Sequence, residues 1–395
     1  MSFFFKNKPF LSFVFDIRDS SISVSAVKFE NDKKPEIILC QNFEIQYQDS
    51  QDYSKYSSLM IKTLDDSVSS LKKSLIKIGN KEKIKDYRFF IGSPWTVSQS
   101  KTIKIIKDRP FEINNALLSK IIVGEELLAE KELETETQLK DWKVMLEKII
   151  QSKINGYKVD NIFGKKTMNL AVEIFVSFIP YEIKNKLSTY ISEKIGRHTK
   201  EQDNSSILSS YTFFRDMYSN KNDFIYVDIG KIITDIYVVR DDIIFGIASF
   251  PFGEEDMIQT SLSKTNLSRD VFMSYLCIGN DKKFDLTSHN NGEDMLKFGF
   301  EAWMNKLKDV LPKICTEMNI PNNLFIVPNS VVSEILVKVL SNKEDGKQFE
   351  LLESKIEITS IVEGVFDSLI LNGKVFPNEP HIKMDVIFLD KMLKL

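Results

Sequence analysis

The sequence predicts an α/β protein with two related halves, and three observations support this prediction. A strand that is apolar throughout and ends in Asp, a polar turn and a second, alternating strand occur at residues 11–27 and again at 224–239. Continuous apolar character is typical of a strand buried on both faces of a sheet. At 395 residues the chain exceeds one ordinary core, and strand-rich and helical segments alternate along it. We therefore expect a duplicated domain whose mixed sheets are covered by helices.

The first half begins with strands and continues into a helix. After the first hairpin, further strands are predicted at 35–40 and 42–46. The apolar residues of 57–78 recur at the i, i+3, i+4 spacing of an amphipathic helix. A strand is expected at 86–91, closed by Gly92. These segments predict a strand-rich unit covered by one helix.

A smaller α+β module is expected next, at residues 93–178. Its predicted elements are, in order, strand 96–107, helix 110–133 and strands 144–158 and 167–178. The helix is placed after Arg109 because Pro110 suits the first turn of a helix. Its far end is acidic, with Glu125, Glu126, Glu130, Glu132, Glu134 and Glu136. This acidic run predicts either a solvated face, which we favour, or a site for a basic partner.

The second half repeats the order of strands followed by helices. Helices are predicted at 181–195 and 204–216, and the second hairpin follows them. After the hairpin come strand 243–250, a helix from 254 and a helix-rich stretch over 265–320. The last predicted elements are strand 324–327, helix 329–341 and strand 356–360. The expected domains are a first domain of 9–92 plus 179–222, the inserted module 93–178, and a second domain of 223–395 with a helical subdomain at about 262–320.

The two hairpin turns have the features of phosphate-binding turns. A tight turn after a buried strand points successive backbone N–H groups at one place, where an anion can bind. Asp16 and Asp228 end the two first strands and are candidate ligands for a hydrated metal, while Ser20, Ser21 and Thr234 supply hydroxyl donors. Two such turns facing each other would hold a nucleotide's phosphates and magnesium. The alternative is two ordinary hairpins.

These motifs resemble those of a known superfamily, the actin-like ATPases. Residues 15–21 resemble its first phosphate motif, and 227–235 resemble its second. Within the superfamily the chain is most similar to the bacterial cell-division family FtsA and the type IV pilus family PilM. Further similarities lie at 154–166, at 168–176, in the segment after the second phosphate motif at 248–260, and in the aromatic-basic start at 1–8. The resemblance extends in order from residue 1 to about 280.

The resemblance implies a fold, ligands and a site. The implied fold is the actin-like (ribonuclease H-like) duplicated two-domain fold with an inserted small α+β subdomain. ATP and Mg²⁺ are the implied ligands, with Asp16 and Asp228 on the metal. The implied nucleotide-binding residues are Asp16, Arg18, Asp19, Ser20, Ser21, Asp228, Gly230, Lys231, Thr234, Asp235, Gly253 and Asn329. In the FtsA and PilM families the inserted module is where partner proteins dock.

The chain also departs from the family pattern at these motifs. Arg18 and Lys231 stand where the family has glycine or a glycine-rich turn, and the adenine turn near Asn329 has lost its glycines. Phe272 and Tyr275 fall near the places of a Glu and a Lys that contact the nucleotide. Glycine allows a backbone to close on phosphate without a Cβ in the way. Either Arg18 and Lys231 contact phosphate with their own charges, or the site has degenerated, which we favour.

Composition excludes several other functions. A net charge of −3 gives no general attraction to nucleic acid. The three Cys are spaced widely, which predicts buried reduced thiols in a cytoplasmic protein. The three His, His198, His289 and His381, have no metal-ligand spacing, and we expect them on the surface or in loops. No apolar run approaches the length of a membrane span.

Two short segments are candidates for membrane contact. A helical face at 384–395 carries apolar residues with Lys391 and Lys394, and the start at 3–8 combines three Phe with two Lys. Either alone would bind a bilayer marginally. Recruitment to the inner face of the cell membrane through a protein partner is therefore the favoured prediction.

Two hypotheses about function follow from the sequence. The first is a cytoplasmic actin-like scaffold that docks the cytoplasmic tail of a membrane protein in type IV pilus assembly or cell division, with a weak or vestigial nucleotide site. The second is an active Mg-ATP-dependent ATPase that polymerises or switches conformation. The missing glycines favour the first hypothesis, at most a weak ATPase. Self-association into filaments or dimers is compatible with both.

Overall fold

A computed structural model describes most of the chain. The described residues are 9–46, 53–137, 139–191, 193, 201–280, 292–315, 319–341, 350–351, 354–361, 364–372 and 379–394. His198, His289 and the aromatic-basic start at 3–8 lie outside these ranges.

Seventeen strands and ten helices are assigned within the described residues. The strands are β1 Phe10–Ile17, β2 Ser21–Phe29, β3 Glu36–Glu44, β4 Ile84–Ile91, β5 Val97–Glu112, β6 Trp142–Ile154, β7 Tyr157–Lys158, β8 Lys166–Pro180, β9 Glu201–Ser205, β10 Phe224–Ile229, β11 Thr234–Arg240, β12 Ile243–Phe250, β13 Asn323–Ile326, β14 Glu350–Leu351, β15 Ser354–Lys355, β16 Glu357–Ser360 and β17 Leu371–Asn372. The helices are α1 Tyr53–Lys77, α2 Asn115–Glu136, α3 Tyr181–Tyr190, α4 Ser206–Met217, α5 Glu254–Leu262, α6 Arg269–Asn280, α7 Gly292–Ile314, α8 Val331–Ser341, α9 Gly364–Asp367 and α10 Pro380–Lys394.

The two predicted hairpins are present and occupy equivalent places in two sheets. The first sheet has the strand order β17-β3-β2-β1-β4-β9, and the second has the order β12-β11-β10-β13-β16. In each sheet the hairpin's first strand pairs antiparallel with its partner, so that Asp16 faces Ser23 and Asp228 faces Asp235. On its other side each first strand pairs with a parallel strand, β4 or β13. This confirms the α/β class and the duplicated plan.

The inserted segment forms its own antiparallel sheet with the order β5-β8-β6-β7. Helix α2 packs on one face through a core that includes Ile122 and Leu133 on the helix and Leu170 and Ile174 on β8. The helix begins later than predicted, because Pro110 still belongs to β5. Its N-cap is instead Asn114, whose side chain accepts a hydrogen bond from the Leu117 backbone N–H at 2.9 Å.

Helices α5, α6, α7 and α8 pack on one face of the second sheet. Trp303 on α7 is fully buried with Phe272 and Leu276 of α6 in the core that these helices share with β10 and β13. Cys40 and Cys315 are buried, as predicted, but Cys277 is exposed. It lies next to Leu276 on α6, and adjacent residues on a helix point in different directions, so the expectation of a buried thiol was wrong there.

The end of the chain returns to the first sheet. Strand β17 pairs with β3, and α10 packs against β1 and α4. We expected residues 223–395 to lie with the second sheet, but β17 and α10 lie on the first. Helix α10 buries Ile382, Val386 and Leu389 there. Of the apolar face suggested for membrane contact, Val386 and Leu389 are therefore inside the protein, while Met392 and Leu393 are each 40% exposed. In the described residues, no helix is both long and apolar enough to cross a membrane.

Candidate nucleotide cleft

The two hairpin turns face each other across a cleft of about 420 Å³. Its lining includes the predicted residues Asp16, Arg18, Asp19, Ser20, Ser21, Asp228, Gly230, Lys231 and Asn329. Asp16 and Asp228 are brought together because each lies near the end of a central strand, and the two sheets present these ends to the same space. The fold thus places both predicted metal ligands at one site.

The side chain of Arg18 lies between these two carboxylates. Its Nε is 2.7 Å from Asp16 Oδ2, and its terminal guanidinium nitrogen contacts Asp228 Oδ2. The Arg18 side chain is only 18% exposed, and both carboxylates are more buried still. A guanidinium presents several N–H donors in a fixed fork, which matches two carboxylates well. Arg18 therefore stands where a cation shared by Asp16 and Asp228 would lie.

Electrostatics keep Arg18 and Asp228 ionised. Burial alone would lower the pKa of Arg18, but Asp16 and Asp228 raise it well above its usual value. Burial alone would likewise raise the pKa of Asp228, yet Arg18 and His381 outweigh it and hold that pKa well below its ordinary range. An opposite charge within contact distance favours the charged form of each partner. The two halves are thus joined by an ion pair that persists at neutral pH.

His381 is a member of the site that sequence reasoning missed. It lies on α10, is 2% exposed, and places Nε2 at 3.2 Å from Asp228 Oδ1 and at 3.4 Å from the Tyr226 hydroxyl. The expectation of a surface or loop position was wrong because α10 packs into the first sheet. The available signal was the flanking apolar pattern at Ile382 and Val386, which is typical of a buried helix face.

Asp19 fills the turn that was predicted to bind phosphate. Its buried carboxylate accepts hydrogen bonds from the backbone N–H groups of Ile232 at 2.7 Å and Ile233 at 3.2 Å. A Cβ on Gly230 would lie 2.6 Å from Asp19 Oδ2. Glycine is favoured at 230 because the Asp19 carboxylate and the Ile233 carbonyl oxygen, 2.9 Å from such a Cβ, both approach its backbone closely. The amides that an anionic ligand would use are bonded to Asp19.

Burial affects the ionisation of Asp19 as well. It raises the pKa of this carboxyl, while the amides of Ile232 and Ile233 act in the opposite direction. Hydrogen bonds from backbone N–H groups favour a carboxylate's charged form. The two turns therefore satisfy each other, since the first supplies an anion and the second supplies the donors.

Asp235 behaves differently from its cross-strand partner Asp228. It accepts a hydrogen bond from Ser93 Oγ at 2.8 Å and another from Ser249 Oγ. Burial raises the pKa of Asp235 to about 6. A small cavity of about 20 Å³ lies between Asp228, Asp235 and Ser206, which is room for one water molecule.

Thr234 and Gly253 take part in packing rather than facing the open cleft. Thr234 is buried, donates to the Phe252 carbonyl at 2.7 Å and accepts from Trp303 Nε1 at 3.0 Å. A Cβ on Gly253 would lie 2.5 Å from the Gly230 carbonyl oxygen. The segment after β12 therefore supports the second turn from behind.

The open part of the cleft is rich in carboxylates. Four of them, Glu44, Glu254, Glu255 and Glu379, line it beyond the two turns. Arg269 is engaged with Glu255 through two hydrogen bonds of 2.6 and 2.7 Å. Ser330 donates to Glu254, whose pKa is raised to about 7 by burial. The four carboxylates thus outnumber the two cationic side chains, Lys231 and Arg269, in this part of the cleft.

The residues present do not fit a magnesium–triphosphate group in this arrangement. The carboxylates that would hold the metal are bound to Arg18, and the amides that would hold phosphate are bound to Asp19. Within the described residues there is no group of three or more His, Cys, Asp or Glu placed to hold a metal ion. Both Arg18 and Asp19 would have to leave their partners before such a ligand entered.

A second concave site lies between the inserted module and the first domain. This groove, of about 210 Å³, is lined by Lys148, Ile149, Ile150, Leu208, Tyr211, Thr212, Arg215, Phe388, Lys391 and Met392. Its floor is apolar, with Leu208 and Phe388 buried. Its rim carries three cationic side chains. Such a surface complements a peptide with apolar and acidic residues.

Comparison with known proteins identifies the fold. No family model and no curated protein matches the chain. Among solved structures, the chain is similar to the PilM–PilN type IV pilus biogenesis complex, with 10% identity, 96% of each chain covered and a TM-score of 0.56. It also matches an actin-like ATPase fold protein of unknown function from Bacteroides thetaiotaomicron, with 11% identity, 98% of each chain covered and a TM-score of 0.45. The first likeness confirms the predicted actin-like fold.

Proposed function

We propose that this chain is an actin-fold scaffold that works without bound nucleotide and docks the cytoplasmic tail of a membrane protein. Its setting would be type IV pilus assembly or cell division, at the inner face of the cell membrane. The observation that carries the proposal is the position of Arg18 and Asp19, which occupy the cation and phosphate places of the cleft.

The contacts that Arg18 and Asp19 of the first turn make with the second turn support a fixed, closed scaffold. In a nucleotide-using protein of this plan, the ligand would bridge the two turns and its loss would release them. Here Arg18 and Asp19 of the first half reach Asp228 and the Ile232 amide of the second half directly. The halves are therefore held together by side chains of the protein itself, which cannot diffuse away as a bound ligand can.

The groove beside the inserted module is the proposed docking site. It combines an apolar floor with the cationic rim of Lys148, Arg215 and Lys391. Arg215 and Lys391 are already paired with Asp216, which fixes their positions at the rim. The likeness to PilM in its complex with PilN supports a protein partner for this fold. We propose a tail segment with apolar residues and at least one carboxylate as the occupant.

Binding of tail peptides tests this proposal. Labelled synthetic peptides would cover the cytoplasmic tails of the pilus and division membrane proteins of the same organism, and fluorescence anisotropy would report binding. We expect at least one peptide to bind with a Kd of about 1 μM to 100 μM. Met392→Asp and Lys148→Glu should each weaken it by about tenfold or more, and Mg-ATP should leave it unchanged.

Matched variants separate the groove from its surroundings. Leu393→Asp lies next on the same helix, and Lys143→Glu lies on the same strand, but neither residue lines the groove. Both variants should bind the peptide normally. If no tail peptide binds, or if all four variants bind alike, the proposed docking site is wrong.

Self-association into filaments or dimers stays a prediction. Light scattering of the purified chain over a range of concentrations would detect it. The scaffold proposal predicts that Mg-ATP leaves the mass unchanged, because the cleft does not take nucleotide.

A further inference from the structure

The distal end of the inserted module exposes four large apolar side chains. We define the module tip as residues 104–112 and 153–168. Within it, Ile106 is 73% exposed, Tyr157 is 78% exposed, and Phe163 and Met168 are each 48% exposed. Single exposed apolar residues are common on protein surfaces, but a group of them at one end of a domain indicates an interaction surface.

Strand register brings these residues to the same end of the sheet. Ile106 pairs with Asn169, the neighbour of Met168 in the chain. Tyr157 pairs with Ile154, which in turn pairs with Leu170. Phe163 precedes Gly164, whose backbone N–H donates to the Ile113 carbonyl at 2.9 Å, so this loop is tied to the end of β5. Ile106 is about 50 to 60 residues from the other three in sequence, yet the sheet brings it to the same end.

The module tip is also basic in a chain that is acidic overall. It contains seven Lys and Arg against three Asp and Glu, although the whole chain has a net charge of −3. Lys104, Lys107, Arg109, Lys165 and Lys166 are exposed. Lys158 is engaged with Asp242 in the turn after β11, at 3.2 Å. The remaining positive charges lie in the same segments as the exposed apolar side chains.

A cluster of six acidic residues of the module lies at its opposite end. Helix α2 starts directly after β5 at the module tip, and its six Glu occupy residues 125–136, toward its C-terminus. Thr137, just beyond this end, accepts a hydrogen bond from Trp142 Nε1 at 3.1 Å, and Trp142 pairs with Pro180 where β8 leaves the module. Charge is therefore separated along the module, with the excess of positive charge at the tip and the six Glu of α2 at the other end.

We propose that the module tip binds the surface of an anionic lipid bilayer. Aromatic and aliphatic side chains enter the boundary between headgroups and acyl chains, and Lys and Arg beside them are attracted to anionic lipid. Turns at the end of a sheet can insert such side chains without rearranging the core beneath. Nucleic acid is a less suitable ligand, because the exposed side chains of Ile106 and Met168 make no favourable interaction with phosphate groups.

This inference goes beyond the proposed docking of a protein tail. The groove is lined by Lys148 of β6 and by α4 and α10, and it shares no residue with the module tip. The two surfaces are independent in their tests, since variants of one leave the other intact. Together they would orient the scaffold with its module toward the membrane.

Vesicle co-sedimentation of the full chain tests the proposal. The probes are vesicles of phosphatidylcholine alone and of an equal mixture of phosphatidylcholine and phosphatidylglycerol. We expect binding to the mixed vesicles only, weakened by salt. Lys165→Glu with Lys166→Glu should reduce binding by about tenfold or more. Tyr157→Ser with Phe163→Ser should reduce it similarly by removing the inserted rings.

Matched controls use exposed residues far from the module tip. Lys81→Glu with Lys83→Glu repeats the charge reversal on the exposed segment before β4, and Ile76→Ser removes a side chain that is 74% exposed. Both controls should bind vesicles as the unchanged chain does. Equal loss in controls and tip variants would overturn the proposal, and so would the absence of binding to mixed vesicles. Self-association that Phe163→Ser abolishes, without vesicle binding, would assign the tip to a second copy instead.

Discussion

The two hairpin turns share a backbone plan but have opposite roles. The first turn supplies side chains, since Arg18 and Asp19 both leave it to reach the other half. The second turn receives them, through the carboxylate of Asp228 and the amides of Ile232 and Ile233. The two turns therefore contact each other directly, and the first supplies the groups that the second binds.

The difference teaches how a surviving motif residue can change its purpose. Gly230 matches the phosphate motif, but its lack of a Cβ serves the approach of Asp19. Asp16 and Asp228 match the metal ligands, but both are paired with Arg18. Matching residue types therefore identify the fold, while the partners of those residues decide what the cleft can bind.

Removal of Arg18 should have the largest effect on this contact. Arg18→Ala leaves the buried carboxylates of Asp16 and Asp228 facing each other without their cation. Breaking a buried ion pair on one side costs about 3 to 5 kcal/mol, so we expect a loss near the lower figure for this slightly exposed pair. Urea unfolding measures this loss as a change in the free energy of unfolding. Because two carboxylates then face an open position, millimolar Mg²⁺ should stabilise the variant and leave the unchanged chain unaffected.

Arg269→Ala is the control for this experiment. Arg269 also lines the cleft and pairs with a carboxylate, but its side chain is exposed. Its replacement should cost less than about 1 kcal/mol. A similar loss in both variants would mean that Arg18 has no special place in the contact.

Removal of Asp19 should have the next largest effect. Asp19→Ala leaves the amides of Ile232 and Ile233 without an acceptor, at a cost of about 2 kcal/mol. Pyrophosphate should then stabilise the variant, because the vacated amides form an anion site. Thermal unfolding with and without pyrophosphate measures this, and Asp66→Ala on the exposed face of α1 should show neither change. Failure of pyrophosphate to act on Asp19→Ala would contradict the role assigned to this carboxylate.

His381 should contribute less than either residue of the first turn. His381→Ala removes its contact with Asp228 but leaves Arg18 in place, so we expect a loss of about 1.5 kcal/mol in urea unfolding. A loss as large as that of Arg18→Ala would show that α10, and not the first turn, supplies most of the compensation for Asp228.

Asp235 should give the smallest change, visible in the pH dependence of stability. Its pKa is raised to about 6 in the folded chain, so the folded state holds a proton that the unfolded state has lost. Stability should therefore fall as pH rises from about 4 to 6. Asp235→Asn should reduce this fall and raise stability at pH 7 by about 1 kcal/mol. Part of the pH dependence of stability should remain in this variant, because the pKa of Glu254 is also raised, to about 7. A pH profile in Asp235→Asn that equals that of the unchanged chain would contradict the raised pKa of Asp235.

The sequence predicted those features that depend on local pattern. The two hairpins follow from alternation and apolar runs, and Asp16 and Asp228 follow from their place at strand ends. The departures at Arg18 and Lys231 were also visible, because glycine is expected in such turns. The start of α2 was missed although Asn114 is a good N-cap, since Pro110 offered a competing start.

The remaining features depend on contacts between distant parts of the chain. Asp19 and Ile232 are 213 residues apart, and no local pattern indicates that one carboxylate will cap the other turn. His381 reaches Asp228 only because α10 returns to the first sheet. A helix at the end of a chain can pack on either half, so its placement and its polar partner had to come from the structure.

A calorimetric titration of the purified chain, stripped of nucleotide, with Mg-ATP tests the central claim most directly. If Arg18 and Asp19 occupy the cation and phosphate places, there should be no saturable heat up to about 1 mM ATP. Saturable binding with a Kd of about 10 μM or tighter would contradict it. Arg18 and Asp19 would then be ligand-binding residues that move aside, and the ATPase hypothesis would replace the scaffold.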